Sequence, residues 1–223
     1  VMTMMLRGCV WNRAFGTFEV RALNRRTLSP GDYIGMEKYA PIRKTDVLPL
    51  LRKLRSERRL LIGPHVSFCF ENYDTMWIQA HEMVHVEKGN EKQFAEECES
   101  YGPLVPDGSS LSGCLLIEID NPVVRAKKLR EYGHIENHVF WDFGDGNRVQ
   151  ASPLNEERTT PDGKTSAVHF LKFTFSEQAL NSLFKDAKQM ITIEHPKYAH
   201  STALSEVTLA ALRHDVDQSR SAQ

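Results

Sequence analysis

His81 and His85 stand four residues apart around Glu82 in the stretch DTMWIQAHEMVHVEKGNE, residues 74–91. On a helix the two imidazoles share a face and can bind one zinc ion while Glu82, as the catalytic base, polarises its water. That is the chemistry of a zinc-dependent hydrolase. Such a centre also needs a third protein ligand and an open coordination position. The extended zinc-protease pattern calls for glycine at position 88 and histidine at 91, where this chain has Lys88 and Glu91. Glu96, Glu97 and Glu99 follow so closely that a glutamate ligand among them leaves only a tight turn for the return. The spacing by itself is also inexpensive: His134 and His138 repeat it around Glu136 in HIENH.

Other polar residues offer weaker versions of a site. Glu82 and Glu87 are five apart, about 140° around a helix axis, so they cannot chelate one ion unaided and can equally pair with Arg or Lys at the core rim. Lys164 and His169 flank the start of a strand in DGKTSAVHF and can act as a cation and an acid/base group; a histidine beside Phe170 also suits a hydrogen-bonded core position. A divalent metal ion, iron or zinc, held by His81, Glu82 and either a carboxylate such as Glu87 or His169 is the metal-binding alternative to the hydrolase.

The elements that must position these residues can be read in outline. Asp74 is the expected N-cap of a helix from Thr75 to about Lys88, stopped by Gly89-Asn90 and packed through Met76, Ala80, Met83 and Val84. Before it, a helix begins at Pro49, and RLLIGPHVSFCFEN folds as two β segments about Gly63-Pro64. After it come a helix over EKQFAEECESY, a strand GCLLIEID bounded by Asn121-Pro122, and a helix VVRAKKLREY closed by Gly133. A hairpin through Gly144-Asp145-Gly146-Asn147, the strand AVHFLKFTF, a helix SEQALNSLFKDAKQ, the strand MITIEH and a polar last helix complete the chain. This mixture predicts an α+β fold: one domain over residues 27–215 with a mixed or mainly antiparallel sheet and packed helices, HVSFCFE and AVHFLKFTF lying in the same sheet. Residues 1–26, whose apolar positions keep no period, are expected to be a poorly ordered extension, and 216–223 a polar tail.

Composition narrows the partners. The 28 basic and 29 acidic residues among 223 leave a net charge of −1 and a pI near 6.8, without the electrostatic footprint of nucleic-acid binding. The basic run RKLRSERR suits the solvated face of a helix. Cys9, Cys69, Cys98 and Cys114 are widely spaced, as expected of free thiols in a cytoplasmic protein. No apolar run approaches the roughly 20 residues that span a bilayer.

Several separated blocks, GDYIGMEKYAPIR, RRLLIGPHVSFCFENYDTMWIQAHEMVHVEKG, YGPLVPDG, LIEIDNP and RTTPDGKTSAVHFLKFTF, together resemble a bacterial family known only as domain of unknown function thirty-five-oh-one. The resemblance runs from about Leu28 to about His200. Carried onto this chain, the family's helix block is Gln79, His81, Glu82, Met83 and Glu87, and its members commonly carry an aromatic or other non-histidine residue at position 85. The resemblance therefore counts against a shared peptidase activity. It implies a cytoplasmic accessory or metal-binding protein of a redox or peroxide-handling system, with iron–sulfur oxidoreductases or rubrerythrin-like proteins as partners. A zinc hydrolase and a non-catalytic structural or interaction protein are the alternatives.

Overall fold

A computed structural model describes residues 27–154 and 158–221; the expectation about residues 1–26 lies outside the described residues. Helix α1 (Met36–Ile42) contains Pro41 and runs into a π-helical turn, Arg43–Val47, in which the Leu48 amide donates to the Arg43 carbonyl. Helix α2 (Leu48–Arg58) passes directly into strand β1 (Arg59–Ile62), and Gly63-Pro64 turns the chain into β2 (Val66–Phe70). Helices α3 (Tyr73–Glu87) and α4 (Glu91–Tyr101) and strand β3 (Ser110–Ile117) follow, then α5 (Pro122–Glu131). The second half contributes β4 (Val139–Asp142), β5 (Arg148–Gln150), β6 (Ser152–Pro153), β7 (Val168–Thr174), α6 (Glu177–Leu183), β8 (Met190–His195), β9 (Tyr198–Ala203) and α7 (Glu206–Ser221).

The α+β class is as the sequence pattern predicts. The strands form two antiparallel sheets, ordered β1-β2-β3-β7-β6 and β5-β4-β8-β9, with β2 and β7 in the same one. Side chains alternate along each strand. Val66, Phe68 and Phe70 of β2, Leu111 and Leu115 of β3, and Leu171 and Phe173 of β7 join the main core, together with Val139, Trp141, Ile191 and Ile193 of the second sheet. Trp141 is the hub of this core, 5.3 Å from Phe70 and 5.5 Å from Phe173 between ring centroids, and its indole N–H donates to Gln189 Oε1 at 3.0 Å. Gly113 is required here: a Cβ would meet the Phe68 ring at 2.4 Å and the Cys69 carbonyl at 2.6 Å. The sheets are also tied by Tyr198, whose hydroxyl donates to Ile62 O at 2.6 Å and accepts from the amides of His65 and Val66.

On the other face of the first sheet, α3 buries Met76, Ala80 and Val84 against Phe94, Cys98, Leu104 and the half-buried Phe170 of β7, while Ile78 joins Tyr39, Val47 and Leu54 from α1 to α2. Met83 is only half-buried. Helix α3 is capped by Asn72, two residues before the expected cap Asp74, and begins at Tyr73. Asn72 Oδ1 accepts from the Thr75 amide at 3.0 Å and Thr75 Oγ1 accepts from the Asn72 amide at 2.9 Å, a reciprocal pair that Asp74 cannot make. Helix α6 is shorter than its apolar pattern suggests, because Gln189 and Arg213 donate to the carbonyls of Ser182 and Leu183 and close its last turn. Helix α7 continues through Ser221 with Val216 and Ser219 buried, and its Asp215 forms a buried, two-armed ion pair with Arg58 of α2.

Candidate functional site

The H-E-x-x-H segment lies within α3, one side turned to α1 and the π-helical turn. His81 is fully buried among the rings of Tyr33, Tyr39, Trp77 and Phe94, the last two at centroid distances of 4.1 and 4.5 Å. Nδ1 donates to the Trp77 carbonyl at 2.8 Å, leaving Nε2 as the acceptor for the Ile34 amide at 3.3 Å. Burial lowers the imidazole pKa to about 4, so at neutral pH the ring is uncharged with both nitrogens engaged.

Glu82 is equally occupied. Arg43 grips it with both arms, Nε to Oε1 at 2.7 Å and Nη2 to Oε2 at 2.6 Å, and the Tyr39 hydroxyl donates to Oε1 at 2.6 Å. Burial works against the charge on this carboxylate, but the hydrogen bonds from Arg43 and Tyr39 outweigh it and the pKa falls below its ordinary value. Tyr39 responds in the opposite sense, held protonated first by burial and then by Glu82. Arg43 opens the π-helical turn, two residues after Pro41 has removed one amide from the α-helical ladder. His85, half-buried one turn further on, lies with its ring 6.2 Å from that of Tyr39.

The remaining sequence candidates lie elsewhere. Gln79 is half-buried and interacts with the Tyr101 hydroxyl. Glu87 is exposed and accepts from Gln93 Nε2. Lys164 is exposed at a turn where its carbonyl accepts from the Thr160 amide. His169 alternates with Phe170 and so faces the inter-sheet core, away from α3. Its Nε2 lies 3.0 Å from both the Ser166 carbonyl and Thr165 Oγ1, and its Nδ1 lies 3.5 Å from Glu136 Oε2. Sequence reasoning passed over Glu136 as a site residue although it is the centre of the HIENH repeat; it is buried, and its Oε2 has no hydrogen-bond partner.

His81 and Glu82, Glu87, and His169 therefore stand in three separate places. Among the described residues no three His, Cys, Asp or Glu side chains group so as to hold a metal ion. Nor do the α3 residues fit a zinc centre as they stand: His81 has no free nitrogen, and both Glu82 oxygens are taken by Arg43 and Tyr39. The arrangement ties α3 to the α1–α2 arm and leaves a half-buried charged pair at the seam.

An α+β domain of two antiparallel sheets, with its conspicuous polar helix face used in helix-to-helix contacts, is the class these features define. The chain belongs to the family described as "Protein of unknown function (DUF3501)", whose model matches residues 27–216. It is also similar to a crystal structure described as a novel protein of unknown function from Burkholderia pseudomallei, with 32% sequence identity and a TM-score of 0.78, over 85% of this chain and 98% of that one. No curated protein matches the chain. No described helix is long and apolar enough to cross a membrane.

Proposed function

We propose that this is a non-hydrolytic accessory protein that acts by contact with a partner at the seam between α3 and the π-helical turn. The observation that carries this reading is the saturation of the motif: His81 and Glu82 spend their polar atoms on Trp77, Ile34, Tyr39 and Arg43. What the seam offers outward is recognition chemistry: the Arg43–Glu82 pair with side chains 24% and 18% exposed, half-buried His85, and Val86 at 67% exposure. An apolar side chain beside a rigid charged pair suits a protein surface more than a small substrate. Partners of the class implied by the family resemblance, cytoplasmic iron–sulfur oxidoreductases and rubrerythrin-like proteins, are the first to test. The π-helical turn beside the seam supports this location, because such turns recur at functional positions.

The test is calorimetric titration of the purified protein with purified members of both partner classes, comparing the unsubstituted chain with Val86→Glu and His85→Ala. Binding that weakens at least tenfold in Val86→Glu supports the proposal. Stoichiometric zinc in protein prepared without chelator, together with hydrolase activity that a chelator abolishes, would replace it with the zinc hydrolase. Bound iron or zinc without such activity would favour a metal-holding accessory protein.

A further inference from the structure

Cys69 and Cys114 occupy directly opposed positions on the neighbouring strands β2 and β3. The Glu71 amide donates to Ser112 O and the Glu118 amide to His65 O, so Glu71–Ser112 and His65–Glu118 are hydrogen-bonded pairs of the ladder. Cys69–Cys114 has the same parity and is also one. Cα atoms at such a pair are about 5.5 Å apart, within the roughly 4.4–6.8 Å that a disulfide bridges. Directly opposed residues point to the same face. Here Phe68, Phe70, Leu111 and Leu115 take the inter-sheet core, and both thiols take the face under the helices. Both are free and buried.

We propose that Cys69 and Cys114 form a dithiol/disulfide couple, a redox modification site built into the β2–β3 ladder and closed by a hydroperoxide. One thiol sulfur attacks the peroxide O–O bond, giving a sulfenic acid and releasing ROH. The second sulfur then displaces the hydroxyl as water. In sum, two thiols and ROOH give the disulfide, ROH and water; the sulfurs are oxidised, the peroxide oxygens are reduced, and both thiol protons end on oxygen. The pairing matters to the outcome, because a sulfenic acid with a second thiol one strand away condenses with it instead of being oxidised further.

The environment sets the rate. Burial pushes both thiols up to about 12, with Glu71 adding to the effect. Only about one thiol in 10⁵ is then ionised at pH 7, and the thiolate is the attacking species. Closure is therefore slow at neutral pH and rises about tenfold per pH unit while the fold holds. Arg55 and Arg58 of α2 partly oppose the shift at Cys69.

The experiment uses the full chain as the variant Cys9→Ala/Cys98→Ala, in which Cys69 and Cys114 are the remaining thiols, treated with hydrogen peroxide at pH 7, 8 and 9. The expected result is paired loss of both thiols, a proteolytic fragment linking Cys69 to Cys114, recovery of both thiols with dithiothreitol, and a rate rising about tenfold per pH unit. If the double variant does not fold, the unsubstituted protein is mapped in the same way, and the linkage among its four cysteines decides. A folded protein that keeps both thiols at pH 9, or that gains sulfinic acid without a Cys69–Cys114 link, overturns the proposal.

Discussion

Glu82 of α3 and Arg43 of the π-helical turn meet arm to arm, with Nε–Oε1 and Nη2–Oε2 distances of 2.7 and 2.6 Å, and Tyr39 adds a third donor. Glu82→Gln keeps the shape but loses the charge that Arg43 pairs with. A hydrogen bond to a charged group contributes about 1.5–3 kcal/mol, so a loss of that order is expected in urea unfolding. Since the folded-state pKa is lowered, this stabilisation is complete above the ordinary glutamate pKa and disappears as pH falls through the folded value. The unsubstituted protein should therefore approach the variant's stability in acid.

His81 titrates in the other sense. Its folded pKa, about 4, lies below the ordinary value of 6.5, so the unfolded chain binds the extra proton first. Stability is full above pH 6.5 and falls as pH drops toward 4, by up to about 3 kcal/mol from this group. His81→Gln removes the titration, and the slope of unfolding free energy between pH 6.5 and 4 should flatten. An unchanged slope would place the acid sensitivity in other groups.

His85→Tyr separates the two ends of the motif. His85 is half-buried, and the nearby Tyr39 ring offers an aromatic neighbour to the new side chain. The cost should stay within about 0.5 kcal/mol, mainly helix propensity and surface effects. Thermal unfolding and metal stoichiometry measured beside Glu82→Gln check this. A large drop in melting temperature, or loss of a stoichiometric zinc ion, would show that His85 does more than border the seam.

Glu136 and His169 offer a test inside the core. Nε2 of His169 faces the Ser166 carbonyl, which can only accept, so Nε2 carries the ring proton, and Nδ1 lies 3.5 Å from Glu136 Oε2 without a hydrogen bond between them. Burial lowers the His169 pKa and Glu136 opposes that shift. Glu136→Gln supplies an amide donor to Nδ1 and removes a buried carboxyl whose Oε2 has no partner. It should cost less than about 1 kcal/mol, while NMR titration should find the His169 pKa lower still.

Much of the skeleton was legible in the residues alone. The α4 span Glu91–Tyr101, the turn at Gly63-Pro64 and the strand character of β2 and β7 follow from apolar period and Gly/Pro punctuation, signals contained within a few neighbours. Even the pairing of Glu82 with a cation at the core rim was open from composition and spacing. Partner choice was not. Arg43 reaches Glu82 from 39 residues away through a π-helical turn, and the Ile34 amide that occupies His81 lies 47 residues away. The division of the strands into two sheets, the strand at Tyr198–Ala203 and the opposition of Cys69 to Cys114 likewise depend on register, which burial of one face of each strand decides across the whole core. Residue types and spacing determined which side chains were able to do chemistry; tertiary packing decided which hydrogen-bond partners and charges reached them first, because those partners come from chain segments too distant for any local pattern to encode.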